Sequence, residues 1–289
     1  MVQAVGKLIA SINSPRESDV AAFAVNVPSN RMATGLWTKE QIKLAFHLYC
    51  QLPYGRIYGR NPEIVALAKV IGRTSDAVAM KMLNIASIDP AITSTGRAGL
   101  GNASALDRAV WDEFHSDWER LAVECELLRQ QLDKNSSEEL EPETDALSPD
   151  DFNGETRQVL TTQRIKQHFR RAVLSSYRGR CCMSGLSDTR LLIASHIVPW
   201  SRDKQNRLNP SNGLCLSAIH DRAFDKGLMT LTDDFKIIIS EELRRSDDVF
   251  VKEVLIPLNG RTIESPERFS PKSEFVAWHR NSVFVDSQK

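Results

Sequence analysis

An acidic segment near the middle of the chain constrains the fold most, because it cannot form part of a folded core. Residues 133–155 contain nine acidic side chains, one lysine and two prolines. A segment of this composition buries too little apolar surface to offset the entropy that it would lose on ordering. It therefore predicts a linker over residues 131–155, with one folded region before it, at 33–130, and a second one after it, at 156–289.

The chain lacks the sequence features of a membrane or secreted protein. It has no run of about 20 apolar residues, and its first residues do not have the basic-then-apolar layout of a secretory signal. Its five cysteines are not spaced as a disulfide framework, so reduced thiols are expected. These features predict a cytoplasmic protein with no membrane partner. Residues 1–32 have no strong hydrophobic period and predict a flexible arm, with Met32 as an alternative start.

Charge is unevenly distributed, although the whole chain has 37 basic and 37 acidic residues. Residues 31–108 carry ten basic and five acidic side chains, and residues 156–230 carry thirteen and four. Basic surfaces attract nucleic acids because each neutralised phosphate releases condensed counterions. Nucleic acid is therefore the first partner to consider, although a solvated basic face would have the same composition.

Residues 61–85 predict two helices joined by a glycine turn. Asn61 can cap a first helix that has Pro62 at its first position, and Thr74 can cap a second helix after Gly72. This pattern resembles the helix-turn-helix of small bacterial DNA-binding domains over about twenty residues. An ordinary helical hairpin is the alternative. The residues expected to face DNA are Arg73, Ser75, Lys81 and Asn84, with Arg97 in the glycine-rich loop that follows.

Residues 106–129 predict one further helix that closes the N-terminal region. Its large apolar side chains recur every three or four positions, which favours a core-facing stripe over an aromatic binding platform. The stripe consists of Trp111, Phe114, Trp118, Leu121 and Cys125.

A basic helix is predicted at the start of the C-terminal region. Residues 156–180 carry seven basic side chains and no acidic one, and their apolar residues have helical spacing. A solvated helix would have the same composition, but a face of one sign is suited to lying along a phosphate backbone. The candidates for backbone contacts on this helix are Arg164, Lys166, Arg170 and Arg171.

Residues 190–227 predict a strand, a loop, a second strand and a helix, which together form a ββα unit. The apolar, β-branched run around His196 favours the first strand. Asn212 begins the turn into a short second strand, and Ser217 can cap a helix that contains His220. A lone histidine on such a strand is more often a core residue than a catalyst, so the three polar residues matter as a set.

The spacing of His196, Asn212 and His220, sixteen and then eight positions apart, resembles the His-Asn-His (HNH) nuclease family. The blocks Ser-His-Ile-Val-Pro-Trp, Asn-Gly-Leu-Cys-Leu and His-Asp-Arg-Ala-Phe-Asp are similar to those of predicted bacterial HNH restriction endonucleases, over residues 178–250. The resemblance implies an α+β chain with a helix-turn-helix-like module, an acidic linker and a C-terminal ββα-metal nuclease domain. It also implies double-stranded DNA as the partner, and some similar proteins act on modified DNA.

The resemblance assigns a role to each residue of the set. His196 is the general base that activates water, Asn212 orients the loop, and His220 ligates a metal ion. Phosphodiester hydrolysis needs such a base and a cation, for which Mg²⁺ or Mn²⁺ is expected. Many HNH enzymes place an aspartate or histidine immediately before the base as a second ligand, and this chain has a serine there. The further candidate ligands are Ser195, Asp221 and Asp225.

A structural zinc is not expected. Cys181 and Cys215 stand where many HNH relatives have the first cysteines of two Cys-x-x-Cys knuckles, but Ser184 and Ala218 occupy the partner positions. Four-thiolate coordination is therefore impossible. Cys181, Cys182 and Cys215 are expected to be small buried hydrophobes.

The sequence as a whole predicts a metal-dependent DNA endonuclease of restriction type, with modified DNA as a target that the resemblance alone suggests. One active site would nick one strand, so cutting both strands would require a homodimer or sequential events. The alternative is a DNA-binding regulator with a catalytically impaired HNH-like domain, which the serine at position 195 favours. An RNA-directed nuclease has little support, because the basic helix has few aromatic residues for stacking.

Overall fold

The computed structural model describes residues 35–97, 99–137 and 154–288. The predicted arm at 1–32 and most of the predicted linker, residues 138–153, lie outside the described residues. In the described part of the chain, helices are combined with two small antiparallel sheets, so the α+β class is confirmed.

A helical region precedes the linker range. It contains the α-helices α1 (Lys39–Gln51), α2 (Pro62–Val70), α3 (Ser75–Ala86), α4 (Pro90–Thr93), α5 (Ala105–His115) and α6 (Trp118–Ser137), with a 3-10 turn at Tyr54–Arg56. We refer to residues 35–97 and 99–137 as the helical region. Its last helix extends through Ser137, into the range predicted as linker.

The second part of the chain begins with a long helix and continues into the two sheets. Its elements are α7 (Gly154–Ser176), β1 (Leu192–His196), β2 (Gly213–Ser217), α8 (Ala218–Asp225), β3 (Met229–Leu231), β4 (Ile237–Ile239), α9 (Glu241–Arg244) and α10 (Ser273–Ser282). Short 3-10 segments cover Thr189–Leu191, Pro210–Asn212, Ile256–Leu258 and Val285–Gln288, and a π-helical turn covers Val251–Leu255.

Local capping signals explain why α2 and α3 form. The Asn61 side chain accepts a hydrogen bond from Glu63 N at 2.9 Å, and the Thr74 hydroxyl accepts one from Ala77 N at 3.2 Å. Gly72 ends the first helix with a φ of 67°, in the left-handed region that glycine tolerates. The predicted pair of capped helices is therefore confirmed, while its use in binding DNA stays a prediction.

The predicted closing helix at 106–129 is instead two helices, so that prediction is wrong in one respect. Asp117 lies between α5 and α6, and its carboxylate accepts a hydrogen bond from Arg120 N at 3.0 Å, which caps the second helix. The apolar stripe packs as expected, since Phe114 and Leu121 are fully buried. A local cap thus interrupts a continuous hydrophobic period.

The ββα unit is present as predicted. Strands β1 and β2 pair antiparallel, with Leu192 opposite Ser217 and His196 opposite Gly213. The Ser217 hydroxyl then caps α8 by accepting a hydrogen bond from His220 N at 3.3 Å. Strands β3 and β4 form a second hairpin that follows α8.

Helix α7 connects the helical region with the ββα unit, because it packs against α1 and α6 and also against β1 and β2. Arg268 adds a second connection: its guanidinium is fully buried, donates to Tyr49 O at 2.7 Å and also bonds Leu52 O at the end of α1. The described residues from Gly35 onward form one compact unit. None of the described helices is long and apolar enough to cross a bilayer.

Candidate active site

His196 ends strand β1 and lies half-buried between two aromatic rings. Phe169 of α7 stacks on the imidazole with ring centroids 4.1 Å apart and planes 9° apart, and Trp200 packs edge-on at 5.7 Å. Gly213, opposite His196 in the sheet, makes this approach of α7 possible. A Cβ atom at Gly213 would lie 3.0 Å from Phe169 Cζ and would clash with Val173.

A backbone carbonyl fixes the protonation pattern of the His196 imidazole. Nε2 lies 2.8 Å from Arg207 O, and because a carbonyl only accepts, Nε2 carries the proton of the neutral ring. Burial lowers the pKa of His196 below its ordinary value, and the Arg207 carbonyl and the charge of Asp221 offset only part of that effect. The ring is therefore neutral at pH 7 and keeps an unprotonated Nδ1 that can accept a proton.

Asn212 holds the ends of the β1–β2 loop, residues 197–212, together. Its side chain is fully buried; Oδ1 accepts from Val198 N at 2.8 Å, and Nδ2 donates to Val198 O at 3.0 Å and Asn206 O at 3.3 Å. These are backbone groups across the loop, as expected for a residue that orients the strand of His196.

His220 is buried on the first turn of α8 and has one nitrogen without a partner. Its Nδ1 lies 2.9 Å from Ser217 Oγ and 3.3 Å from Cys181 Sγ. Its Nε2 is buried and makes no hydrogen bond among the described residues. An imidazole nitrogen of this kind has the chemistry of a metal ligand.

The other candidate ligands do not complete a metal cage. Ser195 is buried and its hydroxyl is unpartnered, but it points to the face of the sheet opposite His196, because successive strand residues alternate. The pKa of Asp225 is raised, first by burial and then by the charge of Asp221. Within the described residues, no three His, Cys, Asp or Glu side chains converge as a metal site.

His220 alone does not define a metal site. His220 supplies one nitrogen, and an ion such as Mg²⁺ commonly keeps several waters and takes further ligands from substrate phosphates. An ion held at His220 would therefore need most of its ligands from water and from DNA phosphates, because the described residues do not enclose it.

The cysteines near the site are buried and unpaired by disulfides. Cys181 departs from the expectation of an inert hydrophobe, because its thiol contacts His220. Burial raises the pKa of Cys181, but hydrogen bonds with His220 and Ser184 outweigh that effect and lower it to about 6. Burial raises the pKa of Cys215 to about 12, so that thiol stays protonated.

The prediction that Lys81 faces DNA is wrong. Its side chain is 8% exposed and its ammonium lies 2.9 Å and 3.0 Å from the two carboxylate oxygens of Asp107. Asp107 is itself buried, where it forms a capping box with Ser104 at the start of α5. Lys81 neutralises this buried carboxylate and is not available to a groove.

The other candidates of residues 61–85 are partly buried or already hydrogen-bonded. The Arg73 guanidinium donates to the carbonyls of Gly35 and Leu36, each at 2.7 Å, and lies over the Trp37 ring. Asn84 is half-buried with an unpartnered Oδ1, and Ser75 is half-exposed on the first turn of α3.

Two of the basic candidates outside residues 61–85 lie where the helical region meets the second part of the chain. Arg97 pairs with Glu267, and Arg171 of α7 pairs with Glu63 of α2. Arg170 donates to Leu192 O and Thr189 O, and Lys166 lies over the Trp200 ring. The Arg164 side chain lies outside the described residues.

Sequence reasoning missed Arg207 as part of the site. It lies in a polar loop with no helical or strand period, and its contribution is a backbone carbonyl, which any residue could supply. Phe169 is one of the apolar residues with helical spacing in the predicted basic helix. Nothing in the sequence connects either residue with His196.

The geometry defines a class of protein: a ββα nuclease-type unit with a histidine at the end of its first strand, an asparagine clamp and a histidine on its helix. The family model for HNH endonucleases matches residues 181–232, which span β1, β2, α8 and β3. Residues 181–232 are therefore similar to an HNH endonuclease domain. No curated protein matches this chain.

Proposed function

We propose that this protein is a metal-dependent DNA endonuclease of restriction type, in which the HNH domain cleaves and the basic surface binds duplex DNA. The arrangement of His196 carries the proposal. The imidazole is neutral, its Nε2–H is bound by the Arg207 carbonyl, and its Nδ1 is left to accept a proton. The HNH match supports a nuclease, and HNH nucleases are generally metal-dependent.

The proposed chemistry is hydrolysis of a phosphodiester by one water molecule. Nδ1 of His196 takes a proton from the water as its oxygen forms a bond to phosphorus; the bond from phosphorus to the leaving sugar oxygen breaks, and that oxygen keeps the electron pair and takes a proton from bulk water. Asn212 keeps the loop in place, so the ring needs no reorientation during the step. Mg²⁺ or Mn²⁺ bound at His220 would supply stabilisation of the negative charge that develops on the phosphate.

DNA contacts are proposed for the basic residues that retain exposed surface. The Arg97 and Arg171 side chains are 46% and 43% exposed; the partner of Arg171, Glu63, is equally exposed, whereas the Glu267 side chain that pairs with Arg97 is 8% exposed. Lys166 is exposed and adjoins the site through Trp200. The other proposed contacts are Arg73, Ser75, Asn84, Arg164 and Arg170. Lys81 is excluded because it is buried.

The restriction role, the preference for modified DNA and a homodimer are finer parts of the same proposal. They are supported by the resemblance of residues 178–250 to HNH restriction endonucleases. Since one chain carries one His196, a monomer nicks one strand, and a double-strand break needs two chains or two events.

Plasmid cleavage tests the proposal directly. Supercoiled DNA, unmodified or carrying methylated or hydroxymethylated bases, is incubated with Mg²⁺, Mn²⁺ or EDTA and either the wild type, His196→Ala or His115→Ala. His115 is an exposed histidine of α5, outside the site, and is the matched control. We expect metal-dependent nicking in the wild type and the control, and none in His196→Ala. DNA that is bound but uncut under every condition would refute the nuclease and favour a DNA-binding regulator.

A further inference from the structure

The carbonyl that orients His196 belongs to a residue whose side chain is held by the helical region. Arg207 accepts the hydrogen bond from His196 Nε2 through its backbone, at 2.8 Å. Its guanidinium bonds both carboxylate oxygens of Glu119, on the first turn of α6; Nε lies 2.8 Å from Oε2, and Nη2 bonds Oε1. Arg207 thus contacts the imidazole with one end and the helical region with the other.

The Glu119–Arg207 pair is better suited to fixing a position than an ordinary surface ion pair. The Arg207 side chain is 10% exposed and that of Glu119 is 24% exposed, so the pair is partly shielded from water. Two parallel hydrogen bonds define the orientation of the guanidinium plane. The guanidinium also lies 5.1 Å from the centre of the Trp200 ring, which packs against His196.

The residues next to Arg207 are packed, so a displacement of Arg207 would be transmitted along the β1–β2 loop. Leu208 and Asn209, which follow Arg207, are buried, and Asn206 O accepts a hydrogen bond from Asn212. The loop is therefore held by His196, by Asn212 and by Glu119. Of these three residues, only Glu119 comes from the helical region.

We propose that Glu119 is a positioning residue of the HNH site: it holds Arg207 so that the Arg207 carbonyl binds His196 Nε2–H and leaves Nδ1 free for water. The inference rests on the proposed function and gives the helical region a part in building the active site. Without the Glu119 carboxylate, a mostly buried guanidinium has no counter-ion and turns towards solvent. The Arg207 carbonyl then moves, and His196 loses the acceptor that fixes its protonation.

Nitrogen-15 NMR of the imidazoles tests the inference without any cleavage. The His196 signals are assigned by their loss in His196→Gln. We expect the Nε2–H form of His196 in the wild type and a mixture of the two neutral forms in Glu119→Ala. Glu119→Gln keeps the shape of the side chain but removes its charge. It replaces Glu119→Ala in the experiment if that variant does not fold.

Glu124→Ala is the matched control. Glu124 lies on the same helix, its side chain is 17% exposed, and it bonds Lys43 and Arg120 within the helical region. Its loss should lower stability to a similar extent but leave the His196 signals unchanged. If the His196 signals changed in both Glu119→Ala and Glu124→Ala, the cause would be general loosening of α6, and the positioning role of Glu119 would be overturned.

Cleavage kinetics provide the second readout. Glu119→Ala should lower the rate at saturating DNA about tenfold or more, because small misplacements of a catalytic group are costly, and should leave the Kd for DNA unchanged. Arg207→Ala retains the backbone carbonyl and should lose the same factor. The double variant should lose no more than either single one, since both remove one interaction.

The outcomes separate this inference from the proposed function. Unchanged His196 signals in both Glu119 variants, or additive losses in the double variant, would overturn the positioning role and leave the nuclease intact. A wild type that cuts no DNA, but whose His196 signals depend on Glu119, would refute the nuclease and support the positioning role.

Discussion

Replacing Asn212 with alanine should damage both stability and cleavage. The substitution removes two buried hydrogen bonds to Val198 and a third to Asn206. Because the N–H and C=O of Val198 stay buried without partners, each costs about 1–3 kcal/mol, and the free energy of unfolding should fall by about 2–5 kcal/mol. Val198 is two residues from His196, so the rate of cleavage by folded protein should fall about 10- to 100-fold.

Urea denaturation and plasmid cleavage measure the two effects separately. Asn212→Asp tests the amide donor, because it keeps an acceptor for Val198 N but places a second oxygen against Val198 O; it should lose at least as much stability at pH 7. Asn209→Ala is the control: this buried asparagine of the same loop bonds Asn206 and Ser211 but not Val198. The role of Asn212 in holding the loop would be refuted if Asn212→Ala lowered the free energy of unfolding by less than about 1 kcal/mol. It would also be refuted if Asn209→Ala slowed cleavage as much as Asn212→Ala does.

Three further predictions concern buried charged and titratable groups. Burial lowers the pKa of His279 to about 4, so its contribution to stability is complete above about pH 6.5 and is lost as the pH falls towards 4, by roughly 3 kcal/mol; denaturation of His279→Gln should show a flatter pH dependence. Arg268→Met should cost about 2–4 kcal/mol, because the carbonyls of Tyr49 and Leu52 lose their donors, and a loss below about 1 kcal/mol in urea would contradict this. Lys81→Met should cost about 3–5 kcal/mol by leaving Asp107 unpaired, yet the DNA affinity of the folded protein and its salt dependence should not change, which filter binding at several salt concentrations would check.

Features encoded in adjacent residues could be predicted from the sequence. The caps at Asn61, Thr74 and Ser217 each depend on a side chain and an amide two or three positions later, so local patterns identify them. The ββα unit could be predicted because its two strands, its turn and its helix follow one another directly along the chain. The asparagine clamp also spans only one loop.

Features that depend on distant partners could not be predicted. A helical wheel places Lys81 on a polar face, but its ammonium is buried because Asp107, on another helix, requires a counter-charge. The break at Asp117 is hidden by an apolar period that continues through it. Arg207 depends on Glu119, 88 positions away, for its place in the site. In each case the structure is determined by tertiary packing, which leaves no local pattern in the sequence.

The same contacts decide which basic residues DNA can recruit. Arg268 and Lys81 are buried, and each bonds groups within the fold, so a phosphate would have to replace bonds that hold the fold. The Arg171–Glu63 pair has more than two fifths of both side chains exposed, and such pairs contribute only about 0–1 kcal/mol. A phosphate can therefore displace Glu63 at little cost to stability, whereas Glu267, whose side chain is 8% exposed, would be left as a mostly buried charge if it lost Arg97. The number of charges available to DNA is consequently smaller than the ten basic residues of 31–108 suggest, and the exposed Arg171–Glu63 pair between the helical region and the second part of the chain is the first place to seek a DNA contact.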